Sequence, residues 1–435
     1  MTKLKISLIL IANCFSFFVS LALTILIRYG FNDFQEAFWN HTYLFVLLFI
    51  FWLAIVYIFD LWSLKFIEQK SILFKSFILA TGVFLFGSIV FLYIFDKFLQ
   101  PSPKTNLLIF SVIFLFLNYG IKIFLNRLFF HNLRISLLVL DKSQEAKDLI
   151  SSIKIDKALG YDVVDLPGEI SLSSIETLIS KEKKNIIIII PNSTEDELFI
   201  NLIYKLLPLG IKIMGLSEFY ESILLKEPLD GLSQKWFITN LKSKKFYTSM
   251  SRLTDIILSL FFIILLSPIF LLCIISIKLF DKGTIFFVQK RAGKNDKEFL
   301  LYKFRTMDSN IKGPLWTEEQ DKRITKIGKI LRELHFDELP QLFNIFKGDM
   351  SFVGPRAESV DLVNIYKEEL PYYEIRSIIK PGLTGWAQIH YRPSASLIEA
   401  KEKLRYDFFY IKYRSQTIDF LVLLKTVKLF FVHPK

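Results

Sequence analysis

Long apolar blocks dominate the first third of the chain. Roughly Ile6–Ile27, Tyr43–Leu61, Ser76–Phe95 and Leu107–Phe124 are nearly free of charge, and each approaches the ~20 residues that carry a helix across a bilayer. The pattern predicts four membrane-spanning helices over residues 1–130. No small-residue cleavage site follows Ile27 and three further apolar blocks come after it, so the first block reads as a retained helix rather than a signal peptide. Lys3 and Lys5, then Lys65, Lys70 and Lys75, then Lys122, Arg127 and Arg134 flank these blocks. Basic flanks of this kind belong on the cytoplasmic side.

From residue 131 to 240 the pattern shortens. RISLLVL (Arg134–Leu140), NIIIIIP (Asn185–Pro191) and IKIMGL (Ile211–Leu216) are strand-like runs separated by polar, helix-compatible stretches such as KSQEAKDLISSI, an alternation that predicts a small parallel α/β sheet. A dinucleotide site would need a glycine-rich turn after the first strand, where backbone can approach a pyrophosphate. The turn here reads LDKSQEAK, without glycine. A degenerate Rossmann-like scaffold or regulatory module is therefore expected over 131–240.

Residues 241–283 bring a basic linker, LKSKKFYTSMSR, and a second kind of apolar block, Asp255–Gly283. The block is long enough to span, yet Lys242, Lys244, Lys245 and Arg252 precede it and Lys278, Lys282, Lys290 and Arg291 follow it. A simple span would strand one basic cluster outside. Ser267 and Pro268 fall near its middle, where proline has no amide to donate and its ring clashes with the preceding turn. A re-entrant helix, break and helix, entering and leaving on the cytoplasmic side, is the expected geometry. The remaining 284–435 reads as a small α+β unit, closed by TIDFLVLLKTVKLFFVHPK, whose apolar pattern is interrupted by Lys425 and Lys428 in the manner of an interfacial helix. The fold class is thus a membrane protein, α plus α/β.

Composition and charge sharpen this picture at two points. The chain is 52% hydrophobic with a formal charge of +12, which suits anionic headgroups, phosphorylated substrates or nucleic acid without choosing among them. Its two cysteines, Cys14 and Cys273, each sit in an apolar run, and its five histidines are scattered. Neither a disulfide framework nor a thiolate zinc site is available.

Chemistry concentrates after Gly283. TIFFVQKRAGKNDKEFLLYKFRTM alternates like two strands about a Gly-Lys-Asn-Asp turn, and period-two geometry puts Gln289 and Arg291 on one face and Lys303 and Arg305 on one face of the partner strand. In HFDELPQLFNIFKGDMSFVGPR (His335–Arg356), Asp337 is the expected N-cap of a helix that carries Pro340 in its first turn and closes at Gly348. Asp337 and Glu338 would then lie at the positive end of a helix dipole. Arg332 one turn upstream, Arg356 downstream, and Lys303 and Arg305 from the hairpin make a set of cations around a carboxylate pair. Such a set suits phosphoryl chemistry: one carboxylate attacks phosphorus to give an acyl phosphate while its neighbour holds Mg²⁺.

DELPQLFNIFKGDMSFVGPR, with Q-x-R-x-G at Gln289, Arg291 and Gly293, YKFRTM at Tyr302–Met307, KPGLTGWAQ at Lys380–Gln388 and the closing LRYDFFYIK, resembles the bacterial sugar transferase family. These are monotopic phosphoglycosyl transferases that move a sugar phosphate from a UDP-sugar to a polyprenyl phosphate. The resemblance covers Arg252 to near the C-terminus, and the layout of four spans and a Rossmann-like domain resembles the long form that initiates O-antigen, capsule or exopolysaccharide synthesis. Carried over, it implies that Asp337 is the nucleophile, that Glu338 partners Mg²⁺, and that Arg332, Lys303 and Arg356 hold phosphates of donor or carrier. It also implies that Ser267-Pro268 is the re-entrant turn and that the catalytic unit faces the cytoplasm at the inner membrane. The implied partners are UDP-sugar, undecaprenyl phosphate and the lipid bilayer, not nucleic acid, and a homodimer is allowed. LRELHF, DKGTIFF and HYRPSAS depart from the family's usual LRKTSL-like, SPGP-like and arginine-asparagine stretches, which leaves the choice of sugar open. Two rival readings are an inactive membrane scaffold, which would be expected to lose the acidic pair or its cations, and a sugar-to-sugar glycosyltransferase, which would release UDP in place of UMP.

Overall fold

A computed structural model describes residues 2–59, 61, 70–94, 104–125, 135–156, 159–164, 174–175, 186–191, 197–206, 208, 211–229, 232, 234–241, 245–281, 283–307, 323–391 and 396–431. Lys65, Arg127, Arg134, Lys242, Lys244 and Lys282 of the basic flanks lie outside the described residues, as do 392–395 of the HYRPSAS stretch. The chain divides into two compact units, Met1–Phe219 and Tyr220–Lys435.

In the first unit four apolar helices appear where the hydropathy places them: α1 (Thr2–Tyr29), α2 (Phe34–Ile58), α3 (Lys70–Ile94) and α4 (Lys104–Leu125). With one later helix they make five that are long and apolar enough to cross a membrane. Phe17 of α1 anchors their interior, its ring against those of Phe45, Phe49, Phe84, Phe110 and Phe114 at 4.8–6.3 Å. Several polar side chains inside the bundle pair with one another, where lipid would offer them no hydrogen bonds. Asn118 Nδ2 donates to Ser16 Oγ (2.7 Å) and Asn13 Oδ1 (3.1 Å), and Trp52 Nε1 donates to Asn13 Oδ1 (3.2 Å). At α1's C-terminal end, Arg28 donates to Asn106 Oδ1 at 2.7 Å.

The rest of this unit is a parallel four-stranded sheet, ordered β2-β1-β3-β4. Its elements are β1 (Ile135–Val139), α5 (Gln144–Ile155), β2 (Tyr161–Val164), β3 (Ile186–Ile190), α6 (Glu197–Leu206) and β4 (Lys212–Gly215). Three strands match the sequence expectation. The fourth, β2, is only four residues of YDVV, too short for a periodic signal. At the turn after β1, Asp141 accepts the Ser143 amide (2.6 Å) and Ser143 Oγ accepts the Ala146 amide (3.3 Å). These local caps occupy donors that a phosphate would need.

After α7 (Leu216–Leu224) and α8 (Gln234–Asn240), the second unit contains α9 (Lys245–Leu265) and α10 (Ser267–Phe280), with Leu266 between them and Pro268 in the first turn of α10. The hairpin of β5 (Phe286–Ala292) and β6 (Glu298–Phe304) turns over Gly293–Lys297. Then come α11 (Lys326–Glu333), α12 (Gln341–Lys347), β7 (Ser351–Val353), α13 (Val360–Glu369), β8 (Gly382–Thr384), α14 (Trp386–His390), α15 (Leu397–Tyr413) and α16 (Gln416–Phe431), with β7 parallel to β8. Leu301, Phe304, Leu342, Ile345, Phe352 and Phe408 lie in one buried core.

Both arms of the α9–α10 pair pack on this same body. On α9, Arg252 donates to the Ile345 and Phe346 carbonyls at 2.7 Å, and Asp255 accepts Ser351 Oγ and the Phe352 amide at 3.0 Å. On α10, Phe270 meets Phe304 and Phe343, and Asp281 at its end accepts Thr325 Oγ1 (2.6 Å). The outward faces of both arms, with Ile257, Phe261, Leu271 and Leu272, are exposed and apolar. In the last helix, α16, Val422 is buried while Phe420 and Val427 are exposed, and Thr426 bonds Thr384 of β8.

The described part of residues 220–240, grouped by sequence with the α/β region, packs within the second unit. Trp236 stacks on Phe408, Trp386 Nε1 donates to the Leu225 carbonyl, and the Glu227 amide donates to the Arg405 carbonyl. Lys412 lies 2.7 Å from Glu221 and 2.9 Å from Glu227.

Candidate active site

The acidic pair does not cap a helix. The chain leaves α11 at Leu334, His335 adopts a left-handed conformation (φ 55°), and Phe336–Glu338 form a single 3-10 turn. The seven-residue helix α12 starts afterwards, with Pro340 rather than Asp337 at its N-cap and Gly348 (φ 100°) closing it as expected. With Asp337 at the N-cap, the amide it would accept at the third helical position falls on Pro340, which has none, and the Leu339 amide is taken by the Phe336 carbonyl. The Asp337 carboxylate is consequently not spent on capping.

Instead, Asp337 is buried and Glu338 is a quarter exposed. Lys303 reaches across from β6 and donates to Glu338 Oε1 at 2.6 Å. Burial raises the Asp337 pKa above the usual carboxylate range, and the attraction of Lys303 and Arg332 only partly offsets it. Burial also pushes Glu338 upward, but Lys303 and Arg356 outweigh it and hold that group at about 2. Two neighbouring carboxylates are thereby pushed apart in acidity.

The hairpin supplies this charge as its period requires. Lys303 pairs in register with Phe287, two residues from Gln289, so Lys303, Gln289 and Arg291 share a face. Arg291 donates to Gln289 Oε1 (2.7 Å) and to the Ala357 carbonyl (2.9 Å), which ties β5 to the Gly-Pro-Arg turn. Burial lowers the Arg291 pKa, and the nearby charge of Arg356 lowers it further. Arg332 Nε is held by Thr306 Oγ1 at 2.9 Å, while the Arg356 side chain is exposed. Lys303, Arg332, Arg356, Gln289 and Arg291 are thus gathered around the pair. Arg305 is not: it is buried and donates to the Asp281 carbonyl at the end of α10 (2.8 Å). Its guanidinium lies 2.0 Å from where a Cβ on Gly283 would stand, so it anchors the end of α10.

Sequence reasoning passed over Asn344. Fully buried in α12, it accepts the Tyr302 amide (3.1 Å) and donates to the Leu300 carbonyl (2.7 Å), locking β6 and its Lys303 beside the acidic turn. An amide at a core position of QLFNIF was the available signal. Among the described residues, no group of three or more His, Cys, Asp or Glu could hold a metal.

Comparison with known proteins decides the family. Residues 246–433 match the bacterial sugar transferase family model. An uncharacterized sugar transferase of Bacillus subtilis (strain 168) is 39% identical over 181 residues, which are 41% of this chain and 86% of that protein. The chain belongs to the bacterial sugar transferase family. An Aeromonas hydrophila UDP-N-acetylgalactosamine-undecaprenyl-phosphate N-acetylgalactosaminephosphotransferase is 36% identical over 220 residues, 50% of this chain and 52% of its own length. A Klebsiella pneumoniae UDP-glucose:undecaprenyl-phosphate glucose-1-phosphate transferase is 39% identical over 180 residues, 40% and 39% of the two chains. Similarity to these last two spans about half of their length or less. The matched segment carries α9 from Phe246 onward, the acidic turn, and Arg291, Lys303, Arg305, Arg332 and Arg356.

Proposed function

We propose that this membrane protein transfers a sugar 1-phosphate from a UDP-sugar to undecaprenyl phosphate, yielding undecaprenyl-diphosphate-sugar and UMP. This would be the initiating step of O-antigen, capsule or exopolysaccharide synthesis. The observation that carries the reading is the Asp337–Glu338 turn: one carboxylate buried and raised in pKa, the other clamped by Lys303, with Arg332, Arg291 and Arg356 about them. A carboxylate of raised pKa is a better nucleophile once ionised. Asp337 attacks the β-phosphorus of the donor, the bond from that phosphorus to the bridging oxygen breaks, and UMP leaves with the electron pair. An oxygen of the lipid phosphate then attacks the same phosphorus and releases Asp337. Lys303, Arg332 and Arg356 offset charge on the phosphoryl oxygens as it spreads in each displacement.

Magnesium fits this donor set only together with substrate. Lys303 takes Oε1 of Glu338, so a self-contained cage is absent among the described residues, yet one carboxylate plus substrate phosphates and waters is ordinary Mg²⁺ coordination. Glu338 would hold the ion, which would supply neutralising charge at the phosphates. The packing of both α9 and α10 on one body supports a re-entrant hairpin broken at Ser267-Pro268, with the catalytic unit on the cytoplasmic face of the inner membrane. The β2-β1-β3-β4 region is read as a Rossmann-like scaffold without a nucleotide.

The test is nucleotide release from a panel of UDP-sugars by the full chain in lipid, with and without undecaprenyl phosphate. UMP is expected, with at most about one equivalent released before acceptor is added and a sugar-phosphate adduct on the Asp337 peptide. UDP as product overturns the reading in favour of sugar-to-sugar transfer. UMP release strictly dependent on acceptor, with no adduct, reduces the carboxylates to metal ligands.

A further inference from the structure

Arg356 owes its placement to another arginine. The Gly354-Pro355-Arg356 turn is gripped from several directions by groups other than its own side chain. On one edge it pairs with β8: the Gly382 amide donates to the Pro355 carbonyl at 2.9 Å, and Arg356 forms a parallel bridge with Gly382. A Cβ on Gly382 would stand 2.1 Å from the Gly354 nitrogen, so only glycine allows that approach. On the far side the Arg291 guanidinium holds the next carbonyl, that of Ala357. A further grip comes from Arg376, in the 3-10 segment Tyr373–Ile378, whose Nη2 donates to the Arg356 carbonyl at 3.0 Å.

Arg376 is itself held on every nitrogen. Nε and Nη2 engage Asp407 Oδ2 of α15 at 3.2 and 3.1 Å, and Nη1 donates to the Tyr373 hydroxyl. Its side chain is 11% exposed and that of Asp407 5%. Burying an ion pair to this depth costs desolvation that its own attraction barely recovers, so stability alone is a weak reason to keep one. What the pair does achieve is a rigid fork aimed at the backbone of Arg356, whose exposed head alone is left to move. Arg356 and Arg376 also line one small cavity together with Gly293, Glu358, Tyr373 and Ser377, which Asp337, Glu338 and Lys303 do not line, so the clamp stands behind Arg356 rather than at the acidic pair.

We propose that Arg376 is a positioning residue for the donor diphosphate, acting through the backbone of Arg356 and never on substrate itself. The inference rests on the reading of Arg356 as a phosphate-binding group. Lysine at 376 would keep a charge for Asp407 but could not bridge Asp407, Tyr373 and the Arg356 carbonyl at once, because only the planar fork presents donors in those directions. Misplacing a binding group by about 1 Å can cost ~10²-fold in rate.

The experiment is a double-mutant cycle in the full chain in lipid nanodiscs: wild type, Arg376→Lys, Arg356→Ala and the double variant, each with KM and kcat for UDP-sugar and for undecaprenyl phosphate, and with thermal melting as the folding control. Arg376→Lys is expected to lower kcat/KM for the donor by ~10- to 100-fold while KM for the acceptor stays within about twofold. In the Arg356→Ala background the same substitution should change donor kcat/KM by less than about threefold, the non-additivity of two residues acting as one. Equal losses in both backgrounds, no loss in the wild-type background, or an equal rise in acceptor KM would overturn the proposal and leave Arg376 a structural tie. If Arg376→Lys does not fold, Asp407→Asn takes its place in the cycle, with a smaller loss that must also vanish in Arg356→Ala. Should wild type release no UMP from any UDP-sugar, the transferase reading fails separately. The cycle is then read as UDP binding by calorimetry, where weakened binding by Arg376→Lys only in the presence of Arg356 upholds the clamp and unchanged binding removes it.

Discussion

Two aspartates, Asp141 and Asp337, each stand a few residues ahead of a helix, and the molecule uses them in opposite ways. Asp141 follows β1 and takes the Ser143 amide, while Ser143 caps α5. The turn satisfies itself, which is what local side-chain capping achieves for any exposed helix start. Asp337 caps neither its own turn nor α12, because His335 turns the chain left-handed before it and Pro340 delays the helix after it. Its carboxylate is buried against cations instead. On the proposed reading, a carboxylate is made reactive where the fold withholds its local partners and imposes distant ones.

The sharpest break of that comparison exchanges the two acids. Asp337→Asn is expected to lower UMP release by at least ~10³-fold with an unchanged melting temperature, since no cap is lost; Asp141→Asn should leave turnover within about twofold. Comparable turnover in the two variants would show that Asp337 is no more chemical than Asp141. Next in size is the effect of removing the α/β region altogether. A chain starting at Leu216 should keep UMP release in lipid, whereas one starting at Lys242 should lose folded protein, because Trp236 no longer covers Phe408 and Lys412 loses Glu221 and Glu227. Size-exclusion and melting profiles of the two chains distinguish them, and equal behaviour would place no weight on residues 220–240.

Lys303→Gln asks how far the imposed partners tune the pair. Asp337 must be ionised to attack, so kcat/KM should rise with pH through its raised pKa and level off above it. Lys303 is the leading influence holding that pKa down, so its removal should move the acid limb to higher pH and cost ~10- to 100-fold at neutrality. The same lysine depresses Glu338 to about 2. A carboxylate depressed on folding adds stability that is present above its unfolded value and lost as pH falls toward the folded one. Acid melting between about pH 4.5 and 2 should therefore steepen in wild type and flatten in Lys303→Gln; an unmoved rate limb and an identical melt would contradict the ion pair. The smallest effect is expected from Asn344→Leu, which leaves the Tyr302 amide and Leu300 carbonyl unpaired. A loss of ~1–3 kcal/mol on chemical unfolding, with a partial loss of turnover as Lys303 loosens, would match that role.

Much of this was legible in the residues, for reasons that differ along the chain. The bundle helices could be read because hydrocarbon forbids unpaired backbone, so spans must be long, apolar and uninterrupted. The β5–β6 hairpin could be read because a period of two leaves no freedom in which residues share a face, and Lys303, Gln289 and Arg291 fell where that period put them. Arg305 shared the period and still left the set, since strand alternation says which side a residue faces and not which partner lies nearest. Asp337 was misjudged as a cap because propensity at Asp and Pro outweighed a left-handed histidine that no local rule anticipates. Arg376 carried no signal at all within YYEIRSII.

By itself, then, the sequence determined the membrane helices, the parallel α/β region, the hairpin and the family, all of which depend on periodicity or on motif order along the chain. Only the tertiary structure decided that Asp337 stands uncapped, that Lys303 rather than Arg305 meets Glu338, that the described part of residues 220–240 packs with the second unit, and that Arg376 grips Arg356. Those outcomes depend on burial and on contacts between residues tens of positions apart, where the energy of a charge is set by neighbours the local chain does not contain.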